Sequence, residues 1–143
     1  YYEGRYWPSS IEKVHDELTL HFVEKALYLV PLGPRGPEFD VLSDTHITRD
    51  RAKALADATD DCWKAILNHD LPGFGVSMRH GFEAQVAMFP HMMNEMLETL
   101  VHRYKDVALG WKVSGAGGGG YLILVSDAPI EDGFQIVARR AFD

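Results

Sequence analysis

Apolar positions along the chain switch between two periods. Leu18, Phe22 and either Val23 or Ala26 recur at helical spacing, which predicts a short helix over 16–26. Residues 27–32 are a compact apolar run, closed by Pro31 and the turn-rich Gly33-Pro34-Arg35-Gly36-Pro37, and read as a strand. A looser segment with Phe39, Asp40, Val41 and Leu42 follows. Thr48 or Asp50 can cap a helix running to about residue 68, with Ala52, Leu55, Ala56, Ala58, Trp63, Ile66 and Leu67 as its apolar face. Leu71-Pro72 opens the next helix, where proline in the first turn is tolerated. Its Phe74, Met78, Phe82 and Val86 form an i, i+4 ladder that Pro90 ends. A third helix over 92–104 carries Met93, Met96, Leu97 and Leu100. Strands are predicted over 108–113, 121–125 and 134–138, and a further one over about 7–14. Helices grouped between strands give an α+β two-layer sandwich, taken as a single domain over 1–143. There is no internal repeat and no low-complexity segment beyond one glycine run.

That run is Ser114-Gly115-Ala116-Gly117-Gly118-Gly119-Gly120, with five glycines in six residues. Glycine costs backbone entropy on folding, so such a concentration implies that backbone passes very close to something. A phosphate is a natural candidate, because bare N–H groups in a tight loop form an anion-binding concavity. Ordinary hairpins need only one or two glycines. The string Gly115-x-Gly117-x-x-Gly120 matches the dinucleotide pattern literally, but that fingerprint follows a strand and opens a helix. Here the glycines lead into Tyr121-Leu122-Ile123-Leu124-Val125, a strand ended by Ser126-Asp127-Ala128-Pro129. No Walker-type Gly-x-x-x-x-Gly-Lys-Ser/Thr occurs. The geometry implied is strand, glycine-rich loop, strand.

The glycine run and its flanking strands resemble the third, C-terminal glycine-rich motif of the GHMP kinases, and most resemble the sugar-kinase branch with heptose-phosphate kinases, bacterial fucokinases and galactokinase-like proteins. Residues 27–35 (Leu-Tyr-Leu-Val-Pro-Leu-Gly-Pro-Arg), Phe82-Glu83-Ala84-Gln85 and Ala108-Leu109-Gly110-Trp111-Lys112 are similar to that branch as well. The resemblance runs from about Trp7 to Arg140. It implies a ferredoxin-like core with extra helices. Such kinases have two lobes, and the N-terminal one carries the main ATP loop and, in most members, the catalytic Asp. Neither is recognisable here, so the chain resembles the C-terminal lobe alone, either excised or a naturally separate half. The resemblance implies ATP and Mg²⁺ as cofactors, held mainly by the other lobe, and a sugar or sugar phosphate as acceptor. It also implies a loop over 114–120 that supports the phosphate and substrate site at the lobe interface. No catalytic residue is assigned to this chain, and the isolated lobe is expected to be inactive.

Composition narrows the partners. A net charge of −7 argues against a nucleic-acid footprint, though not against a local phosphate site. The 46% hydrophobic and 24% charged content is ordinary for a globular chain of 143 residues. The single Cys62 forms no internal disulfide and fits a reducing, cytoplasmic compartment; in its helical stretch it reads as a small core residue. No run approaches the roughly 18 apolar residues that cross a bilayer, so no membrane partner is expected.

Four side chains outside the loop are candidates for polar contact. Lys112 lies two residues before the loop, where a cation can meet a phosphate or stand solvated on the strand. Glu83 and Gln85 lie on a helix that approaches the substrate cleft in related sugar kinases. Arg79 and Glu83 are spaced i, i+4 and can also be a plain surface ion pair. A metal site is not supported: His15 and His21 are six apart, His80 and His91 are separated by Pro90, and Asp40, Asp44 and His46 lack a glycine-centred calcium pattern. Met88, Met92, Met93 and Met96 read as core filling. No Gly-x-Ser-x-Gly elbow supports hydrolase chemistry. The competing class is a stand-alone α+β module that binds a ligand or a partner chain; a severed lobe is expected to form a homodimer or aggregate, a module to be monodisperse or one symmetric oligomer, and an amino-acid-binding regulatory domain rests on the expected fold alone.

Overall fold

The computed structural model describes residues 7–140. Helix α1 spans Glu17–Ala26, strand β1 Leu27–Gly33, helices α2 Arg49–Leu67 and α3 Leu71–Met88, helix α4 Glu95–Tyr104, and strands β2 Gly110–Val113 and β3 Gly120–Val125. Each helix starts where a side chain can accept an orphan backbone N–H. Asp16 accepts from Thr19 N–H at 2.8 Å, Thr48 from Arg51 at 3.2 Å, Asp70 from Gly73 at 3.0 Å and Asn94 from Leu97 at 2.8 Å. Asn94 explains why α4 begins at Glu95 rather than at Met92. Pro90 instead starts a short 3₁₀ turn, Pro90–Met92, after which Met93 is extended.

The strands form one antiparallel sheet in the order β1-β3-β2. Leu27 pairs with Val125 and Val30 with Leu122; Gly110 pairs with Val125 and Val113 with Leu122. Side chains alternate between faces, so Val30, Val113, Leu122 and Leu124 share one face. They pack on Phe82 of α3, Met92 of the 3₁₀ turn, and Leu97 and Tyr104 of α4. The other face is covered at its Val125 end by Ala26, Ala65 and Phe74. Toward the loop this second face opens, and Tyr121 and Phe134 meet edge to face in solvent with ring centroids 5.8 Å apart. The result is the expected two-layer α+β domain.

Two of the expected strands are absent. Residues 134–138 contribute only a bridge from Phe134 to Leu29 on the free edge of β1. That bridge gives the four-position ferredoxin-like order, 134-segment, β1, β3, β2, without a helix between β3 and the edge. Beyond it the chain leaves the sheet to clasp α1: Gln135 Nε2 donates to Lys25 O at 2.9 Å, Ala138 N to Glu24 Oε1 at 2.7 Å, and Arg140 pairs with Glu17 and Glu24. Residues 7–14 form no strand. They are tethered instead through Glu12, whose carboxylate accepts the Trp63 indole N–H at 2.8 Å. Met96 is 47% exposed on α4, whereas Met88 and Met92 are buried as expected.

Candidate functional site

The glycine run closes a hairpin between β2 and β3. Ser114 forms its neck: its N–H donates to Tyr121 O at 2.9 Å and its Oγ accepts from Tyr121 N–H at 3.0 Å. Gly115, Gly117, Gly118 and Gly120 all have positive φ, between 61° and 83°. That conformation favours glycine over any residue with a Cβ.

Part of the glycine requirement is met inside the chain. A Cβ on Gly119 would lie 2.6 Å from Arg35 N, and one on Gly118 would lie 2.5 Å from the Phe39 ring. The turn-rich segment after β1 therefore lies directly against the loop, and Gly117 and Gly119 are buried. The close approach read from the sequence is thus, for Gly118 and Gly119, an approach to residues 34–39. Gly115 differs, because nothing lies within 4 Å of its added Cβ, and it is exposed.

Arg35 is the residue that sequence reasoning passed over. Its Nε donates to Gly117 O at 3.0 Å, and its guanidinium lies over the Phe39 ring, 5.3 Å from the centroid. Its two terminal nitrogens have no partner among the described residues, and the N–H groups of Ala116, Gly118 and Gly119 likewise donate no hydrogen bond there. A guanidinium beside unpaired amides suits a phosphate or carboxylate oxygen. The sequence signals for Arg35 were its place in a Gly-Pro-Arg-Gly-Pro turn and at the end of the 27–35 stretch, neither of which reveals a partner 82 residues away.

The four other candidates fall into two pairs. Helix α3 lies against the β2 edge, and Gly75 and Gly110 touch through bare backbone. On one side of the helix, Arg79 lies over the Trp111 ring at 5.5 Å, with its Nε 3.6 Å from Glu83 Oε1. Glu83 is exposed, and an ion pair of this kind contributes about 0–1 kcal/mol. On the other side, Lys112 and Gln85 line a cleft of about 430 Å³ between α2, α3 and β2. Burial pushes the Cys62 thiol in that cleft up, opposed by the neighbouring Ser77 hydroxyl and by the Lys112 charge. No cluster of three or more His, Cys, Asp or Glu side chains suited to a metal occurs among the described residues. None of their helices is long and apolar enough to cross a membrane.

No curated protein matches the chain. The family model described as GHMP kinases C terminal matches residues 63–141, which begin within α2 and run through α3, α4 and the whole β2–loop–β3 hairpin. With more than half its length matched, the chain belongs to the GHMP kinase family, through that family's C-terminal domain.

Proposed function

We propose that this chain is the C-terminal lobe of an ATP-dependent sugar or sugar-phosphate kinase. The observation that carries the reading is the family match, because it includes the glycine-rich hairpin together with the helices that support it. In this reading the ATP γ-phosphoryl group passes to a sugar hydroxyl, with Mg²⁺ neutralising the phosphate charge. Phosphoryl transfer depends mainly on positioning and charge stabilisation, so a loop can set the rate without supplying a base.

The work of this chain is to hold and orient. The free amides of Ala116, Gly118 and Gly119 and the terminal nitrogens of Arg35 supply donors where a phosphate oxygen could sit. Packing on Phe39 and Arg35 keeps that backbone in place before any ligand arrives. Preorganised donors of this kind cost no reorganisation during the reaction. By the family resemblance, the metal ligands, the main ATP cradle and the base belong to an N-terminal lobe, in cis or as a separate chain. The open sheet face beside the loop, with Tyr121 and Phe134, suits contact with that lobe or with a second copy of this chain. A cytoplasmic location completes the reading.

The test is ADP release by the native protein, with any separate N-terminal lobe present, on heptoses, fucose and their phosphates with ATP and Mg²⁺. Sugar-dependent ADP release is expected, with none from the 143-residue chain by itself. Release by this chain alone would contradict the division of labour. No release from the native protein with any aldose would overturn the sugar-kinase reading.

A further inference from the structure

The cleft between α2, α3 and β2 stands apart from the glycine-rich loop in chemistry. Its walls are apolar: Val23 from α1, Ile66 and Trp63 from α2, Phe74 and Phe82 from α3. Its volume, about 430 Å³, is that of a small-molecule site. Most of its polar groups are neutral: the hydroxyls of Thr59 and Ser77 and the Cys62 thiol. Lys112 brings the one cationic side chain to the lining, and Gln85 brings an amide. No carboxylate lines the cleft, and Lys112 has no ion-pair partner among the described residues.

Lys112 is a half-buried residue with no ion-pair partner among the described residues, so an anion entering the cleft would meet an uncompensated cation on its lining. A single cation balances a monoanion, whereas a phosphate dianion would leave net negative charge in an apolar setting. An apolar body is needed to cover the aliphatic and aromatic walls. We infer that this cleft binds a medium-chain monocarboxylate, its carboxylate on Lys112 and its apolar chain against Trp63, Ile66 and Phe74. The inference is independent of phosphoryl transfer, because it uses neither the glycine-rich loop nor Arg35.

The structure supplies its own reporter. Trp63 lines the cleft, and its indole N–H, held by Glu12, gives a resonance distinct in environment from those of Trp7 and Trp111. The probe is decanoate, titrated into the chain below its micelle concentration, with 1-decanol as the neutral control. Saturable movement of the Trp63 signal is expected, with 1-decanol about tenfold weaker. Lys112→Met should weaken decanoate about tenfold while Lys112→Arg stays within about threefold, since arginine keeps the charge. The Lys112 side chain is not fully buried, and an unchanged melting temperature in both variants separates a lost contact from a lost fold. No saturable movement would overturn the assignment. Equal binding of 1-decanol, or unchanged binding to Lys112→Met, would overturn it as well.

Discussion

Two regions of this domain use glycine for different reasons. At the α3–β2 crossing, Gly75 and Gly110 let a helix backbone rest on a strand backbone. Neither has a positive φ, and a Cβ on Gly75 would lie 2.6 Å from the Leu109 carbonyl carbon. There glycine is a matter of space alone. In the loop, four glycines have positive φ, and of these Gly118 alone is also crowded by the 34–39 segment; Gly119, which has no positive φ, is crowded there as well. There glycine is a matter mostly of backbone conformation, and Gly115 faces open space. A glycine that is crowded reports on the fold; a glycine that is uncrowded and exposed is where function can be tested without breaking the fold.

Substitutions should rank accordingly. Gly110→Ala puts a methyl group onto the Gly75 carbonyl and should cost about 3 kcal/mol or more, because neither backbone can yield without moving α3 off the sheet. Urea denaturation measures it, and a loss below about 1 kcal/mol would mean that the crossing is looser than described. Gly119→Ala meets the backbone of Pro34 and Arg35 and should cost about 2 kcal/mol, with faster amide exchange in residues 34–39. Protection left unchanged there would separate the loop from that segment. Gly115→Ala should cost only about 1 kcal/mol, the strain of a left-handed residue. Arg35→Met removes one hydrogen bond to Gly117 and a cation–π contact, and should cost about 1 kcal/mol or less. A larger loss would give Arg35 a structural weight comparable to that of Gly119.

The clasp of the 134–140 segment on α1 offers a reference outside both regions. The Arg140 guanidinium holds the Glu24 carboxyl below its ordinary value of 4.5. A carboxyl lowered in the folded state stabilises fully above its unfolded value, and that stabilisation is lost as pH falls through the lowered one. Stability should therefore decline as pH drops below about 4.5, and Glu24→Gln should flatten that decline. An unchanged acid limb in the variant would remove Glu24 from the clasp.

Much of this architecture was legible in the chain. The Thr48 cap, the Leu71-Pro72 start and the stop at Pro90 placed α2 and α3, because caps and prolines act locally. The hairpin around the glycine run was legible from the two strands flanking it. The C-terminal segment was not, since strand pairing depends on which edge is vacant, and Phe134 takes the edge of β1 while Arg140 draws the rest away. For the candidate site, the loop was visible as composition. Its contacts with Arg35 and Phe39 were not, because they join segments about 80 residues apart through a turn whose sequence gives no direction. The division of Arg79, Glu83, Gln85 and Lys112 between the two sides of α3 likewise needed the Gly75–Gly110 contact that seats the helix.

The central claim is that the loop over 114–120 supports a phosphoryl-transfer site, and Gly115 tests it most directly. Its added methyl group meets nothing among the described residues, so any effect beyond about 1 kcal/mol of stability reports on what the loop faces in the working enzyme. The measurement is sugar-dependent ADP release by the native protein carrying Gly115→Ala, compared with wild type at a temperature where both are fully folded. The account predicts a fall in kcat of about tenfold or more. An unchanged kcat would contradict it, and would leave the glycine-rich hairpin as a structural turn.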